Sequence, residues 1–427
     1  MISTNANVES WKSNVPESWS IIPLKFITSY NDEKLSELSD PDLIFDYIDI
    51  GSVSYENGIE TVQRCCFKDA PSRARRVVRE NDVILSTVRT YLKAGAIIPE
   101  HDRLMIVSTG FITIRAKETI LSQYLKYLIL SHGFVSEVEC RSYGSNYPAI
   151  NPVEIENITV PLPDIKSQES ITSFLDARCS SIDSAISKHQ QIIEKLEEYR
   201  KAVITQAVTK GLNQNVEMKY SCIPWVTSIP EKWSEQPLKL LFSNRKNKNT
   251  DCAETNLLSL SYGRIIRKDI NSNEGLLPEN FSGYNIIEPN DIVLRLTDLQ
   301  NDHRSLRTGL VTEHGIITSA YVTLCPKANI NSEYYHYLLH AYDVQKVFYT
   351  LGEGIRQSLK YEDLGKVLVP VPPRVEQDEI VHYLNAMSKM VDDVIDKHNQ
   401  LISKLQEYKQ SLIYNAVTGK IDCTTEA

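Results

Sequence analysis

The chain has 427 residues, 42% hydrophobic and 24% charged, with a net charge of −9. That length allows two or three domains that each bury a core, and no window approaches the ~18 uninterrupted apolar residues of a membrane span. The opening MISTNANVESWKSNVPESW lacks the basic and apolar regions of a secretory signal, and eight scattered cysteines form no CxxC pair, so free thiols in a cytoplasmic protein are expected rather than a zinc cluster or disulfide frame.

The negative balance argues against a phosphate-binding partner only until its distribution is read. Residues 1–60 carry three Lys/Arg against eleven Asp/Glu, whereas residues 61–95 carry eight against three, with Arg73, Arg75 and Arg76 clustered. A local basic patch, not the global sum, governs phosphate contact. Strand-like runs follow at Asp82–Val88 and Gly110–Ala116, and a helical stretch covers Ile120–Ser131. Between these elements lie two loops rich in cations, aromatics and amides. One presents Arg89, Tyr91 and Lys93; the other presents Arg141, Tyr143, Ser145, Asn146 and Tyr147.

At Pro161 a different pattern begins. Two prolines are expected to stop the preceding strand and open a helix, after which Leu175, Ile182, His189, Leu196 and Val203 recur every seven residues. Ala185, Ile192 and Tyr199 sit three positions on from members of that series, and no Gly or Pro interrupts the run. Sustained heptads predict a coiled-coil helix of roughly 36 residues, about 54 Å long.

The chain then repeats itself. IPEKW at Ile229–Trp233 answers VPESW at Val15–Trp19. A second basic run supplies Arg245, Lys246 and Lys248. Strand-like segments at Asp291–Leu299, which includes Arg295, and Ser319–Pro326 precede a helical stretch from Ser332 to Val347. The loops here carry Arg304 and Arg307, then Arg356, Gln357 and Lys360. From Pro370 the proline–helix segment returns with Leu384, Val391, His398, Leu405 and Leu412 in the same register, and 20 of 50 positions match the first copy.

These features predict a pseudo-two-fold chain of α/β (α+β) domains in two copies. Two long helices, pairing as an antiparallel coiled coil, join them. The segments are 1–160, 161–212, 213–369 and 370–427. His189 and His398 take equivalent seam positions, and hydrogen bonding explains them more simply than a metal site. Catalytic motifs are missing: the sequence has no phosphate loop, no Gly-rich cofactor turn, no HExxH and no methylase tetrapeptide. Arginine can pair with guanine, asparagine with adenine and lysine with phosphate, so the loops point to nucleic-acid reading. A structural adaptor, or an enzyme with a cryptic centre, is the competing reading.

Taken together, the chain resembles the specificity (S) subunit of type I restriction–modification systems. The resemblance rests on the duplicated helices ending in Ala207-Val208-Thr209 and Ala416-Val417-Thr418, on Gln168 and Gln377 after the prolines, and on the paired openings. It implies two target-recognition domains that each read half of a split double-stranded DNA sequence. The helices would act as spacer and as docking site for two modification (methyltransferase) subunits, with restriction subunits outside. Catalysis, with S-adenosylmethionine, ATP and magnesium, would belong to those partners, and this chain would need no cofactor or metal. Where the first domain has Val88-Arg89-Thr90, the second is expected to have Leu296-Thr297-Asp298.

Overall fold

A computed structural model describes residues 10–12, 15–270, 278, 280–299, 306–327, 329–351 and 358–423. The chain forms two compact units. One comprises Met1–His189 with Asn399–Ala427, the other Gln190–His398. Among the described residues no helix is long and apolar enough to cross a membrane.

The heptad segments form helices at Ile165–Lys210 and Arg374–Val417, of 46 and 44 residues. Both exceed the expected length because each starts within a few residues of its prolines and meets no breaker before its last turn. Those prolines do not end the preceding strand. Pro161 and Pro370 lie inside Thr159–Leu162 and Leu368–Val371, which pair antiparallel with Ser20–Pro23 and Ser234–Pro237. Each ladder has two strands only, so a residue without an N–H is tolerated at its edge.

The unit boundaries cut both helices, at His189 and at His398. In the first unit Leu175, Ile182 and Ile171 are buried with Leu412, Ile413, Ala416 and Val417, and Leu405 packs beside them. Lys409 Nζ meets Asp183 at 2.7 Å across this pair. In the second unit Leu384, Met387 and Val391 are buried with Ile204, Ala207 and Val208, flanked by Leu196 and Val203, and Arg200 reaches Asp392 at 2.6 Å. Each unit thus pairs the start of one helix with the end of the other, the antiparallel arrangement. Ile192, Tyr199, Leu401 and Tyr408, which follow the same heptads, remain 40–57% exposed.

The segments outside the long helices share one plan. In the first, Thr28–Tyr30, Phe111–Ala116, Val83–Ser86 and Gly95–Ile97 make an antiparallel sheet; in the second, Phe242–Asn244, Val322–Pro326, Ile292–Leu294 and Thr308–Leu310 repeat its order. A second, mixed sheet in the first unit runs Gln63–Cys66, Ile44–Ile48, Met105–Ser108, Ala74–Val78. The other unit keeps it as separate pairs, Leu258–Ser261 with Arg264–Arg267 and Asn285–Ile287 with Gly315–Ile317. The expected helices appear as Ser122–Ile129, continued by His132–Cys140, and Ser332–Val344.

One side chain per repeat ties sheet domain to helix. Gln168 is buried; its Nε2 donates to the Pro163 and Thr119 carbonyls at 2.9 and 3.2 Å, and its Oε1 accepts from the Leu121 N–H at 2.8 Å. Gln377 repeats this, donating to Pro372 O at 2.9 Å and accepting from Asn331 N–H at 2.9 Å. Leu121 and Asn331 are the N-cap residues of the helices that follow. Tyr124 and Tyr334, both fully buried, hydrogen-bond the carbonyls of Val417 and Val208 at the long-helix ends.

Removing the amide strands buried donors and acceptors, so Gln377→Ala should destabilise the chain by about 1–3 kcal/mol in urea unfolding. Leu384→Ala should cost about 2–5 kcal/mol, while Leu401→Ala should stay within about 0.5 kcal/mol, because only the first opens a cavity.

Candidate nucleic-acid interface

The first unit brings two of the predicted loops into one surface. Strand Val83–Ser86 is buried throughout, and its end is pinned at Thr87. That residue's N–H and Oγ1 both donate to Gly110 O at 2.8 Å, while its carbonyl accepts from the Ile150 N–H at 2.9 Å. The chain then turns sharply. Arg89 adopts a left-handed backbone at φ 51°, Thr90–Leu92 form a single helical turn, and Lys93 is left-handed again at φ 52°. Thr90 is buried and its Oγ1 meets Ser142 Oγ at 2.7 Å, fixing this turn to the second loop.

That second loop is closed at its neck by reciprocal 2.9 Å backbone hydrogen bonds between Tyr143 and Ala149. Its tip faces outward. Tyr143 and Tyr147 are 76% and 68% exposed, and Ser145 and Asn146 are exposed without a side-chain hydrogen bond among the described residues. The Arg89 guanidinium lies 5.1 Å above the Tyr147 ring, and Tyr91 is exposed on the neighbouring turn. Arg89 is exposed beside this ring, and its guanidinium can meet an acceptor pair from solvent.

Other predicted cations are committed to the protein. Arg141 Nη2 binds Glu137 at 2.6 Å, and that buried carboxylate also accepts from Trp11 Nε1 and pairs with Lys12, each at 2.8 Å. Arg141 therefore anchors the loop from below. Lys93 Nζ lies 3.5 Å from Glu139. Of the arginine cluster, Arg75 stacks on Phe67 at 5.0 Å and Arg76 is half-buried, its Nη2 donating to Thr109 O at 3.2 Å. Burial also pulls the Arg76 guanidinium below its ordinary value. Arg73 alone of the three is exposed.

The second unit corrects several expectations. Asp291, fully buried, is the counterpart of Asp82. Arg115 from the adjacent strand grips Asp82 with two hydrogen bonds, at 2.8 and 2.7 Å. In the second unit Cys325 occupies the place of Arg115, and Arg245 supplies the cation instead, its Nη2 3.0 Å from Asp291 Oδ1. Arg245 is consequently a sheet brace and not a surface contact. Arg307 is also internal. It is 0% exposed and donates to the carbonyls of Arg295, Thr297 and Asp298 at 3.1, 2.9 and 3.3 Å. Buried among main-chain acceptors, it cannot reach a groove.

The expected alignment of the two post-strand loops also shifts by one residue. Asp298 is left-handed at φ 56° like Arg89, and Leu359 N–H donates to Leu296 O at 2.9 Å as Ile150 N–H does to Thr87 O. Asp298 therefore corresponds to Arg89, and Leu296 to Thr87. Arg295 is half-buried beside this turn, and Lys246, Lys248 and Lys360 are exposed, with Lys248 Nζ bound to Gly283 O at 2.7 Å. Arg304, Arg356 and Gln357 lie outside the described residues. The seam histidines, His189 and His398, are half-buried at the unit boundaries. Among the described residues no group of three His, Cys, Asp or Glu side chains could hold a metal ion.

The sequence expectations contain no hairpin at Leu258–Arg267. Gly263 between two strand-like runs is the turn signal that could have located it, weakened by the tyrosine before it. Nor did they single out Arg115 and Asp82, whose pairing depends on strand register.

Comparison with known proteins places this geometry. Residues 71–198 match the family model described as the type I restriction modification DNA specificity domain. The type I restriction enzyme MjaVIII specificity subunit of Methanocaldococcus jannaschii is 24% identical over 95% of this chain and 94% of its own length. The EcoKI specificity subunit of Escherichia coli K12 is 21% identical over 95% and 90%. A chain solved in work on complex assembly and conformational transition of the type I R-M system shares the fold, with a TM-score of 0.69 and 20% identity over 95% of this chain and 99% of that one. The domain match covers the loops that converge around Arg89, and the likenesses to type I restriction–modification specificity subunits span both copies of the repeat, so the chain is similar to that family over nearly its whole length.

Proposed function

We propose that this chain is the DNA-reading, non-catalytic member of a multisubunit methyltransferase and endonuclease, with each unit reading one half of a bipartite target. The observation that carries the reading is the outward surface of Arg89, Tyr91, Tyr143, Asn146 and Tyr147, held by the Thr87, Thr90 and Ala149 hydrogen bonds. A preorganised arginine can take the O6 and N7 acceptors of guanine, and an asparagine the N6 and N7 pair of adenine. Arg73, Lys246, Lys248 and Lys360 are exposed cations suited to phosphate. Phosphate contact supplies affinity; the loops supply sequence.

The long helices support the rest of the reading. Each passes from one unit to the other without a break, which suits a spacer setting the half-sites about one helical turn (~34 Å) apart. Exposed Ile192 and Tyr199 on one helix, and Leu401 and Tyr408 on the other, suit two modification subunits, with restriction subunits joining outside. S-adenosylmethionine, ATP and magnesium would then act on those partners, and this chain would carry no cofactor.

Fluorescence anisotropy of the full chain with its modification subunits, titrated with target duplex at several salt concentrations, tests the reading. A DNA reader gives a steep fall in affinity with salt, whereas a pure adaptor gives none. Arg89→Ala should weaken target binding about tenfold and relax one base position in one half-site, the scale of one lost bidentate contact. Methylation mapping reads that position directly. Deleting seven residues from both long helices should shorten the preferred gap, or abolish activity, with both half-sites unchanged. An unchanged gap would refute the spacer role.

A further inference from the structure

The second unit contains a hairpin whose turn residue is not explained by packing. Strands Leu258–Ser261 and Arg264–Arg267 form a two-stranded ribbon joined by Tyr262 and Gly263 alone, with Ser261 opposite Arg264. Both turn residues are left-handed, at φ 45° and 79°. Such a turn is well suited to the right-handed twist of a hairpin, but its first position favours Asn, Asp or Gly. A tyrosine there runs against the local preference, because its Cβ crowds the backbone in that region. Burial does not compensate, for Tyr262 is 84% exposed.

The ribbon itself is firmly seated. Leu260 and Ile265 cover Gly309 so closely that a Cβ there would lie 2.6 and 2.9 Å from their methyl carbons. Leu258 lies equally tight on Gly315. The ribbon base is held by Arg267, whose Nε donates to both Glu313 carboxylate oxygens. Arg264 at the tip and Lys268 past the base are exposed, and neither Tyr262 nor Arg264 has a side-chain partner among the described residues. Gly263 packs against Leu306, one residue from Arg307, the brace of the turn that corresponds to the Arg89 turn.

The first unit resolves the same place differently. Its equivalent strands, Ile44–Ile48 and Gln63–Cys66, are joined through residues 49–62, and Tyr55 in that connection donates to Gln410 Oε1 at 2.6 Å on the long helix. There the connection is spent on the scaffold. In the second unit it is cut to two residues and its aromatic is left in solvent.

We propose that the tip Tyr262-Gly263-Arg264 is a DNA-contacting site of the second unit, in which the ribbon enters the major groove, Tyr262 packs on a base or sugar and Arg264 meets a base edge or phosphate. A two-stranded ribbon fits that groove, and the exposed Arg264 beside the tyrosine supplies positive charge of the kind that a duplex attracts. This rests on the DNA-reading function above.

Tyr262→Gly separates fold from function, because glycine adopts φ 45° without strain. The variant should melt at or above the wild-type temperature. In complex with its modification subunits it should bind the target duplex about tenfold more weakly, and methylation mapping should show relaxed bases in one half-site only. Arg264→Ala should lower the slope of log affinity against log salt by about one, and Tyr262→Phe should restore binding. Wild-type affinity and an unchanged methylation map for Tyr262→Gly would overturn the site while leaving the DNA-reading function intact. Failure of the wild-type complex to bind duplex would overturn both.

Discussion

Two buried glutamine side chains, Gln168 and Gln377, hold this architecture together at equivalent points. Each accepts from the N–H of the residue that caps a sheet-domain helix and donates to a carbonyl of the proline segment that opens a long helix. An amide is the side chain that can donate and accept from one rigid plane, so it joins two backbone segments that would otherwise bury unpaired groups. The sheet domain and the helix that leaves it are thereby one body. Any loop mounted on the sheet inherits a defined position relative to the start of the helix.

With that joint in place, divergence elsewhere is tolerated because the internal roles are exchangeable. The buried carboxylates Asp82 and Asp291 each need a cation, but one unit takes it from Arg115 and the other from Arg245, on the neighbouring strand. Breaking such a pair leaves an uncompensated buried charge, so the cation can move only if its replacement arrives across the same ladder. Cys325 marks the vacated place. Arg307 shows the same economy in a turn: its guanidinium caps carbonyls that the turn would otherwise leave open. Scaffolding of this kind consumes arginines that composition alone would assign to a ligand.

The global charge of −9 and a DNA-facing role are compatible for the same reason. Acidic residues such as Glu137 and Asp82 are folded into internal networks with Arg141, Lys12 and Arg115. The cations left over sit on a few exposed turns, where local potential and not net charge governs an approaching duplex.

The sequence by itself determined the repeat, the two helices, their apolar seam and the loops around Arg89 and Tyr147. Each of these follows from short-range rules: heptad period, proline and glycine placement, and the cation–aromatic content of segments that cannot be core. Leu175, Ile182, Leu384, Val391 and Leu412 are buried as their spacing requires. Only the tertiary structure decided which half of each helix belongs to which unit, that Arg245 and Arg307 are braces, and that Tyr262 stands exposed at a strained turn. Those outcomes depend on strand register and on how turns fold back on one another, as where Arg245 meets Asp291 from 46 residues away. Side chains of one type are indistinguishable along the chain until folding sets one against a buried carboxylate and another against water.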